Sequence, residues 1–188
     1  MDWTPVACGE LSQGLLGMEE PRWSHVSAVA GAGIDLAKLG YEVPDVVVSA
    51  AWLHDIGYAA RVADTGLHAL DGAAWINERG AAAGLVALVG YHSGAAWEAV
   101  ERGLAEPFSA LPEPDADMLD LLTMLDLTTG PDGRPVSATR RIDEILNRYP
   151  ADDPVHRAVV KSAPTLLESA ARAASRMGLA DVRSRPPL

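Results

Sequence analysis

The chain has 188 residues, which is enough for one domain with a substantial buried core. Its hydrophobic fraction is 48% and its aromatic fraction only 5%, a balance that favours closely packed helices over sheets. The formal charge of −11 disfavours nucleic-acid polymers and membrane surfaces as partners, and the single cysteine, Cys8, excludes an intrachain disulfide.

The first residues show no signal-peptide pattern, and no apolar run approaches the ~20 residues of a membrane span, so we expect a cytoplasmic protein. Sustained strand-like alternation is also missing, and the predicted fold is an all-α helical bundle of about eight or nine helices. A helix in residues 1–20 is expected to pack on a core formed by 21–130. Helices in 131–178 complete the same domain, and 179–188 form a flexible tail.

The first two predicted helices begin at prolines. Thr4 and Pro5 are typical of a helix start, and a second helix opens at Glu20–Pro21 and stops at Gly40. Apolar residues follow one another along the second helix at helical spacing, and His25 lies on the same stripe. This helix is therefore expected to present a histidine to the core.

Residues 46–53 form the middle of a central helix that ends near Gly57. Apart from Ser49 this segment is apolar or small, so it has no face suited to solvent. His54 and Asp55 follow it directly. A buried carboxylate costs several kcal/mol unless a partner compensates it, and a metal ion is the compensation that we favour.

The next two predicted helices each have a histidine at one end. One begins near His68, and the other is the strongly apolar segment 81–91, which His92 follows. A short polar helix is expected around 97–102. The stretch 106–114 contains three prolines and is predicted to be a surface loop, a candidate part of a lid.

The remaining predicted helices add one more acidic residue to the core. The helix over 115–127 places the carboxyl group of Asp126 between two leucines. Ser137 caps an amphipathic helix, and the last helix, over 153–177, contains Pro164, which predicts a kink or break.

Four of the five histidines and two aspartates thus occupy apolar helical positions. One buried histidine is usually satisfied by two hydrogen bonds, but six buried polar groups need many partners, and one binuclear metal site supplies them all. Imidazole and carboxylate ligands suit Fe, Mn, Zn, Ni or Co, whereas the lack of thiolates excludes a cysteine-type structural zinc site. The candidate ligands of one or two divalent transition-metal ions are His25, His54, Asp55, His68, His92 and Asp126.

Asp55 is the natural bridging ligand, because a carboxylate has two oxygens. Adjacent helical residues point about 100° apart. His54 and Asp55 can therefore meet one centre only if the helix ends there, and Gly57 provides that end. A bridging Asp55 leaves His54 on one ion and other histidines on the second.

The order of these residues resembles the H…HD…H…H…D ligand pattern of the HD-domain superfamily, whose members are mostly metal-dependent phosphohydrolases. Residues 67–73, LHALDGA, resemble the HPxxGA-type segment of cyclic-dinucleotide phosphodiesterases in that superfamily, and 91–94, YHSG, resemble their following histidine motif. The resemblance covers 25–126 and implies an HD-domain helical bundle. It further implies that one ion is held by His25, His54, Asp55 and Asp126, and that a second site is filled by His68 and His92.

The chain departs from those phosphodiesterases at two positions. Tyr58 stands where they continue HDIG with lysine, and Tyr91 precedes His92 where they have paired histidines. The resemblance therefore concerns the superfamily and its ligand set rather than that one activity.

The function that the resemblance implies is hydrolysis of a nucleotide or small phosphate ester by a metal-activated water at a mono- or binuclear centre. His54 and Asp55 are the expected catalytic residues. Phosphate substrates usually need a fixed positive charge as well, and Arg22 and Arg61 are the nearest candidates by sequence for binding the substrate.

Two other hypotheses fit the same residues. Some small HD-domain proteins have this six-ligand set and are di-iron oxygenases that act on a small organic or phosphonate substrate. The other is a metal-stabilised sensor or scaffold without catalysis. The sequence is compatible with a homodimer and does not choose between that state and a monomer.

Overall fold

Helices form the regular secondary structure of the chain. The computed structural model describes residues 1–18, 21–184 and 186, and this part has ten α-helices, two 3-10 turns and no strand beyond one isolated bridge. Nine of these helices have seven or more residues, which confirms the predicted all-α bundle. Within the same ranges no helix combines the length and the hydropathy needed to cross a bilayer. The helices are α1 (Pro5–Leu16), α2 (Pro21–Lys38), α3 (Asp45–Leu53), α4 (His68–Asn77), α5 (Ala83–Tyr91), α6 (Ala95–Glu101), α7 (Ala105–Ser109), α8 (Ala116–Leu127), α9 (Ala138–Arg148) and α10 (Pro154–Arg176), and the 3-10 turns are Ile56–Tyr58 and His92–Gly94.

Helix α3 lies at the centre of the bundle. It contacts α1, α2, α5 and α8. Val47, Ala50, Ala51 and Leu53 on it are fully buried, so neighbouring helices account for the solvent-free segment expected from the sequence. Burying a valine or leucine side chain stabilises a fold by about 1.5–3 kcal/mol, and α3 is therefore a main source of stability.

A glycine brings the end of α3 against the start of α4. After Leu53 the chain turns through Asp55 into the 3-10 turn Ile56–Tyr58. A Cβ atom on Gly57 would lie 1.9 Å from the carbonyl oxygen of His68, so only glycine allows this approach. Gly57 therefore does more than end a helix, because it allows His68 to lie close to Asp55.

One buried carboxylate fixes the loop before α4. Asp71 accepts hydrogen bonds from the backbone N–H of Asp64 at 2.9 Å, the backbone N–H of Thr65 at 3.0 Å and the hydroxyl of Thr65 at 2.6 Å. Because Asp71 belongs to α4, these bonds determine where that helix begins. They thereby hold His68, its first residue, in place.

Helix α10 contacts α6, α8 and α9, and ion pairs between a buried carboxylate and two exposed arginines fasten it to α8. The carboxylate of Asp120 on α8 accepts hydrogen bonds from Arg172 Nη2 at 2.7 Å, from Arg176 Nη1 at 3.1 Å and from the hydroxyl of Ser169. Asp120 is only 4% exposed, so these partners compensate its lost hydration.

Helix α10 continues without a break through Pro164, where the sequence predicts a kink or break. Pro164 cannot donate to the carbonyl of Val160, four residues earlier. Both residues lie on the exposed face of the helix. Water can therefore bond to that carbonyl, and the helix tolerates the proline.

The predicted surface loop over 106–114 is partly helical and packed. Phe108 on α7 is buried, and its ring centroid lies 4.8 Å from that of Tyr91. Leu111 packs against the same small core. Two apolar side chains thus anchor this segment, whereas Glu106, Pro107, Ser109, Ala110 and Glu113 stay exposed.

The described part of the segment 179–188 also makes contacts. Val182 is fully buried, and its carbonyl oxygen accepts a hydrogen bond from the backbone N–H of Ala138 at 2.8 Å. Residues 19, 20, 185, 187 and 188, which belong to the predicted second-helix start and tail, lie outside the described residues.

Candidate metal centre

The six predicted ligands converge from five helices and their ends. They form two groups, each with ligand atoms that all lie within 4.8 Å of one another. The first group is His25, His54 and Asp126, and the second is Asp55, His68 and His92. All six are buried except His68, which is nearly so. Each group can hold a metal ion.

Backbone carbonyls fix the orientation of three imidazole rings. His54 Nδ1 lies 2.8 Å from the carbonyl oxygen of Ala51, and His92 Nδ1 lies 2.7 Å from that of Val89. His25 Nδ1 lies 3.0 Å from the carbonyl oxygen of Gly130. A carbonyl only accepts, so each Nδ1 bears a hydrogen, and in its neutral form each ring presents the lone pair of Nε2 to the centre.

His54 gives the most direct indication that the centre suits a cation. Its Nε2 atom is buried and finds no hydrogen-bond partner in the part of the chain that the structure describes. The nearby carboxylate oxygen, Asp55 Oδ2 at 3.6 Å, is itself an acceptor. An unpaired buried acceptor costs about 1–3 kcal/mol, and a cation bound to Nε2 would remove that cost.

Two further contacts bring acceptor atoms together. His68 Nε2 lies 3.1 Å from His92 Nε2, and His25 Nε2 lies 3.0 Å from Asp126 Oδ1. Because Nδ1 of His25 already donates to a carbonyl, its contact with Asp126 needs one additional proton or a cation. The contact of His68 with His92 is satisfied either by the neutral His68 ring donating from Nε2 or by a cation. The donor set therefore fits one ion in each group.

The orientation of Asp55 suits a ligand shared by both groups. Its Oδ2 lies 3.6 Å from His54 Nε2, and its Oδ1 lies 3.4 Å from His68 Nε2 and 3.7 Å from His92 Nε2. The two oxygens thus face different groups. The turn that follows α3 places Asp55 between them, as expected for a residue at a helix end.

Burial and neighbouring charges keep the donors in the forms that bind cations. Burial lowers the pKa of His54 from 6.5 to about 4 and that of His68 from 6.5 to about 3, although Asp55 opposes both shifts. Burial raises the pKa of Asp55, but His54 and the Arg22 guanidinium outweigh it and hold that pKa well below its usual range. At neutral pH His54 and His68 are therefore uncharged and Asp55 is ionised.

Neighbouring groups also outweigh the effect of burial on the pKa values of His92 and Asp126. Burial lowers the pKa of His92, but the Asp55 carboxylate at 3.7 Å raises it by more. Burial raises the pKa of Asp126, whereas His25 and His54 lower it by more, so this carboxyl is ionised. A proton on His92 would occupy its contact with His68, and a metal ion would have to displace it.

Arg22 and Tyr58 form one wall of the centre. Arg22 Nη1 donates to Asp55 Oδ2 at 2.8 Å, and the guanidinium lies 4.0 Å from the centroid of the Tyr58 ring. The same ring stacks on His68 with centroids 4.2 Å apart. Tyr58 is 44% exposed, and its partial desolvation, followed by the charge of Asp55, raises the pKa of its phenol, which remains protonated at neutral pH.

Ser93 supports a candidate ligand, and its own backbone conformation is unusual for a residue other than glycine. Its φ is 50°, in the left-handed region, and its hydroxyl donates to Asp126 Oδ2. The sequence motif 91–94 includes Ser93 but predicted no role for it. Such strain costs about 1–3 kcal/mol and persists where the surroundings require it.

A cavity of about 80 Å³ opens from the ligands toward α9 and α10. Arg22 lines it, whereas Arg61 is exposed and lies outside it, so the structure brings only one of the two predicted substrate-binding arginines to the centre. Arg141, which the sequence did not single out, lines the cavity from α9. A larger cleft of about 520 Å³ lies elsewhere, bordered by Tyr41, Met118 and other residues remote from the ligands.

Comparisons with protein-family models, with curated proteins and with solved structures gave no match for this chain. The assignment to the HD-domain superfamily thus stays a prediction based on the order of its ligand residues and the two short motifs. The geometry of the centre is the basis for a functional proposal.

Proposed function

We propose that the chain is a metal-dependent phosphohydrolase of the HD-domain type, acting on a nucleotide or another small phosphate ester. The observation that carries this proposal is the buried, unpartnered Nε2 atom of His54, among the residues described, beside five other candidate ligands. A neutral imidazole with its lone pair directed into a carboxylate-containing centre is suited to a divalent transition metal.

The donor set supports one or two divalent ions of iron, manganese, zinc, nickel or cobalt. His25, His54 and Asp126 would hold one ion, His68 and His92 the other, and Asp55 would face both. When bound, such ions supply Lewis acidity and lower the pKa of water from 15.7 toward about 7. Asp55 and His54 are accordingly the proposed catalytic residues.

The cavity supports a phosphoryl group as the reacting part of the substrate. Its volume of about 80 Å³ is small beside the ~300–1,000 Å³ of pockets that enclose a whole ligand, so the rest of the substrate would remain near the mouth. Arg22 contributes a positive charge, and the protonated phenol of Tyr58 is a hydrogen-bond donor. Ile145, Val155 and Val159 provide apolar walls that limit access of water.

The test is phosphate release from a set of nucleotides, cyclic nucleotides and small phosphate esters, assayed after elemental analysis of the purified protein. We expect release that stops with a chelator and returns with one of the five metals. His54→Ala should lose both metal and activity. His156→Gln is the matched control, because His156 bonds to the carbonyls of Leu146 and Tyr149 and belongs to neither ligand group.

The alternative is a di-iron oxygenase that acts on a small organic or phosphonate substrate. It is supported by the two adjacent ligand groups and the carboxylate that faces both, since nitrogen and oxygen ligands also suit iron. Iron with a mixed-valent paramagnetic signal, oxygen consumption and no phosphate release from any ester would overturn the hydrolase proposal.

A further inference from the structure

Arg141 is a buried cation with an unused donor. Its side chain is 6% exposed, and its Nε atom is buried without a hydrogen-bond partner among the residues that the structure describes. The residue lines the cavity next to the ligand groups. Leaving a guanidinium donor unpaired in the interior is costly, so a partner from outside the chain would be favourable.

The countercharge near Arg141 is incomplete. Its Nη1 donates to Glu144, but Glu144 also accepts a hydrogen bond from Arg148 Nε at 2.9 Å. Arg148 lines the same cavity. One carboxylate therefore serves two arginines, and these three side chains carry a net positive charge, which the Asp126 carboxylate on α8 partly offsets.

The position of Arg141 relative to the ligands suits an anion held between them. Arg141 and Asp126 both line a cavity of about 80 Å³. Arg22 adds a third guanidinium, although one of its nitrogens is already bonded to Asp55. A guanidinium binds phosphate oxygens in a defined planar geometry, which a lysine cannot reproduce.

We propose that Arg141 binds a non-bridging oxygen of the terminal phosphoryl group of the substrate through the part of its guanidinium that lines the cavity. The inference rests on the proposed function and names the residue that recognises its substrate. A terminal phosphoryl group suits the small cavity, whose volume is about 80 Å³ and whose lining includes the candidate ligands.

The experiment measures binding of inorganic phosphate to the metal-loaded protein by calorimetry, together with kcat and KM for a phosphomonoester that the enzyme hydrolyses. Arg141→Gln should weaken phosphate binding about tenfold or more, as expected for a lost hydrogen bond to a charged group. KM should rise by a similar factor with a smaller change in kcat, and Arg141→Lys should restore the affinity only in part. The matched control is Arg140→Gln, which alters the exposed neighbouring arginine of the same helix and should leave all three quantities unchanged.

The variant Glu144→Gln distinguishes phosphate recognition by Arg141 from a purely structural role of Arg141. If Arg141 only stabilises α9 through Glu144, this variant should resemble Arg141→Gln in both stability and phosphate affinity, and the proposal is wrong. If Arg141 binds the anion, removing the countercharge should maintain or strengthen phosphate binding, even if the melting temperature falls.

The two proposals fail in different ways. Phosphate-ester hydrolysis with unchanged phosphate affinity and KM in Arg141→Gln would overturn the role of Arg141 and retain the hydrolase. Loss of phosphate binding in Arg141→Gln, in a protein that hydrolyses no phosphate ester, would overturn the hydrolase and retain Arg141 as an anion-binding residue.

Discussion

His68 Nε2 and His92 Nε2 lie 3.1 Å apart and point at each other across the centre of the bundle. His92 Nδ1 already donates to the carbonyl oxygen of Val89, so a neutral His92 has only a lone pair to offer in this contact. The contact is satisfied when the neutral His68 ring donates from its Nε2–H, and a cation bound by the two nitrogens would take the place of that proton. Together with the unpartnered Nε2 of His54, again within the described residues, it makes the folded centre a better cation binder than the unfolded chain.

Metal should therefore stabilise the fold. A ligand at about 100 times its Kd adds about 2.7 kcal/mol. For a chain of this size, that increment corresponds to a rise in melting temperature of about 5–10 °C. The measurement is thermal unfolding after chelation and after addition of each of the five metals.

The control for this experiment compares two histidine variants. His156→Gln should keep the metal-dependent rise, whereas His54→Ala should lose most of it, because His54 belongs to a ligand group and His156 does not. Equal rises in the two variants would show that the metal binds elsewhere.

Replacing Gly57 by alanine should separate the end of α3 from the start of α4. The added Cβ would lie 1.9 Å from the backbone carbonyl oxygen of His68, which cannot move without displacing a candidate ligand. We expect a loss of about 3 kcal/mol or more in the free energy of unfolding, together with reduced metal binding. Chemical denaturation and elemental analysis measure the two effects.

Gly84→Ala is the matched control. Gly84 is exposed on α5, and a Cβ there meets nothing within 4 Å. Alanine should stabilise this helical position by up to about 1 kcal/mol. If Gly57→Ala unfolds at the same denaturant concentration as Gly84→Ala, the close approach at His68 is not required.

Asp120→Asn should weaken the attachment of α10 to α8 by about 1–3 kcal/mol at neutral pH, because the carboxylate that accepts from Arg172 and Arg176 is lost. Burial raises the pKa of Asp120, but its bonds to Arg172, Ser169 and Arg176 lower it by more, to below 3.8. The stabilisation is thus fully present above pH 3.8 and is lost as the pH falls through the lowered folded-state pKa.

The measurement is the difference in unfolding free energy between wild type and Asp120→Asn, obtained from neutral pH down to below pH 3.8. The difference should be constant near neutrality and shrink only at the acid end. Asp117→Asn is the control, since Asp117 is exposed and its carboxylate pairs with Arg176. A difference that shrinks already near pH 6 would contradict this assignment.

His54, Asp55 and Asp126 show how much of the site the sequence predicts. Each follows or interrupts an apolar helical run, so the helical period alone indicates that it is buried. The same period predicts the all-α bundle and its central helix α3. Local patterns are sufficient here because burial on a helix is set by residues within a few turns.

The positions of Arg61 and Arg141 relative to the site cannot be predicted from the helical period. Arg61 is only three residues beyond Tyr58, but the 3-10 turn directs the following chain to the surface, and Arg61 is exposed. Arg141 is far from the ligands in sequence and reaches the cavity because α9 packs beside α8 and α10. The sequence does indicate that Arg141 is buried, since it lies four residues before Ile145 on the apolar stripe of α9. Which cavity it lines depends on tertiary packing, which the helical period does not predict.

Two properties of Ser93 can be separated by substitution: its hydroxyl donates to Asp126 Oδ2, and its φ is 50°. Ser93→Ala removes the donor and keeps the strain, whereas Ser93→Gly removes both. Partners of metal ligands typically contribute about tenfold to a hundredfold in metal affinity, so both variants should bind metal more weakly by such a factor. Ser93→Gly should be the more stable of the two without metal, by about 1 kcal/mol, because glycine adopts a positive φ freely. Chelator competition measures the affinities and denaturant unfolding the stabilities, with Ser175→Ala on the exposed face of α10 as the control. Wild-type metal affinity in Ser93→Ala would show that Asp126 is oriented without this hydroxyl.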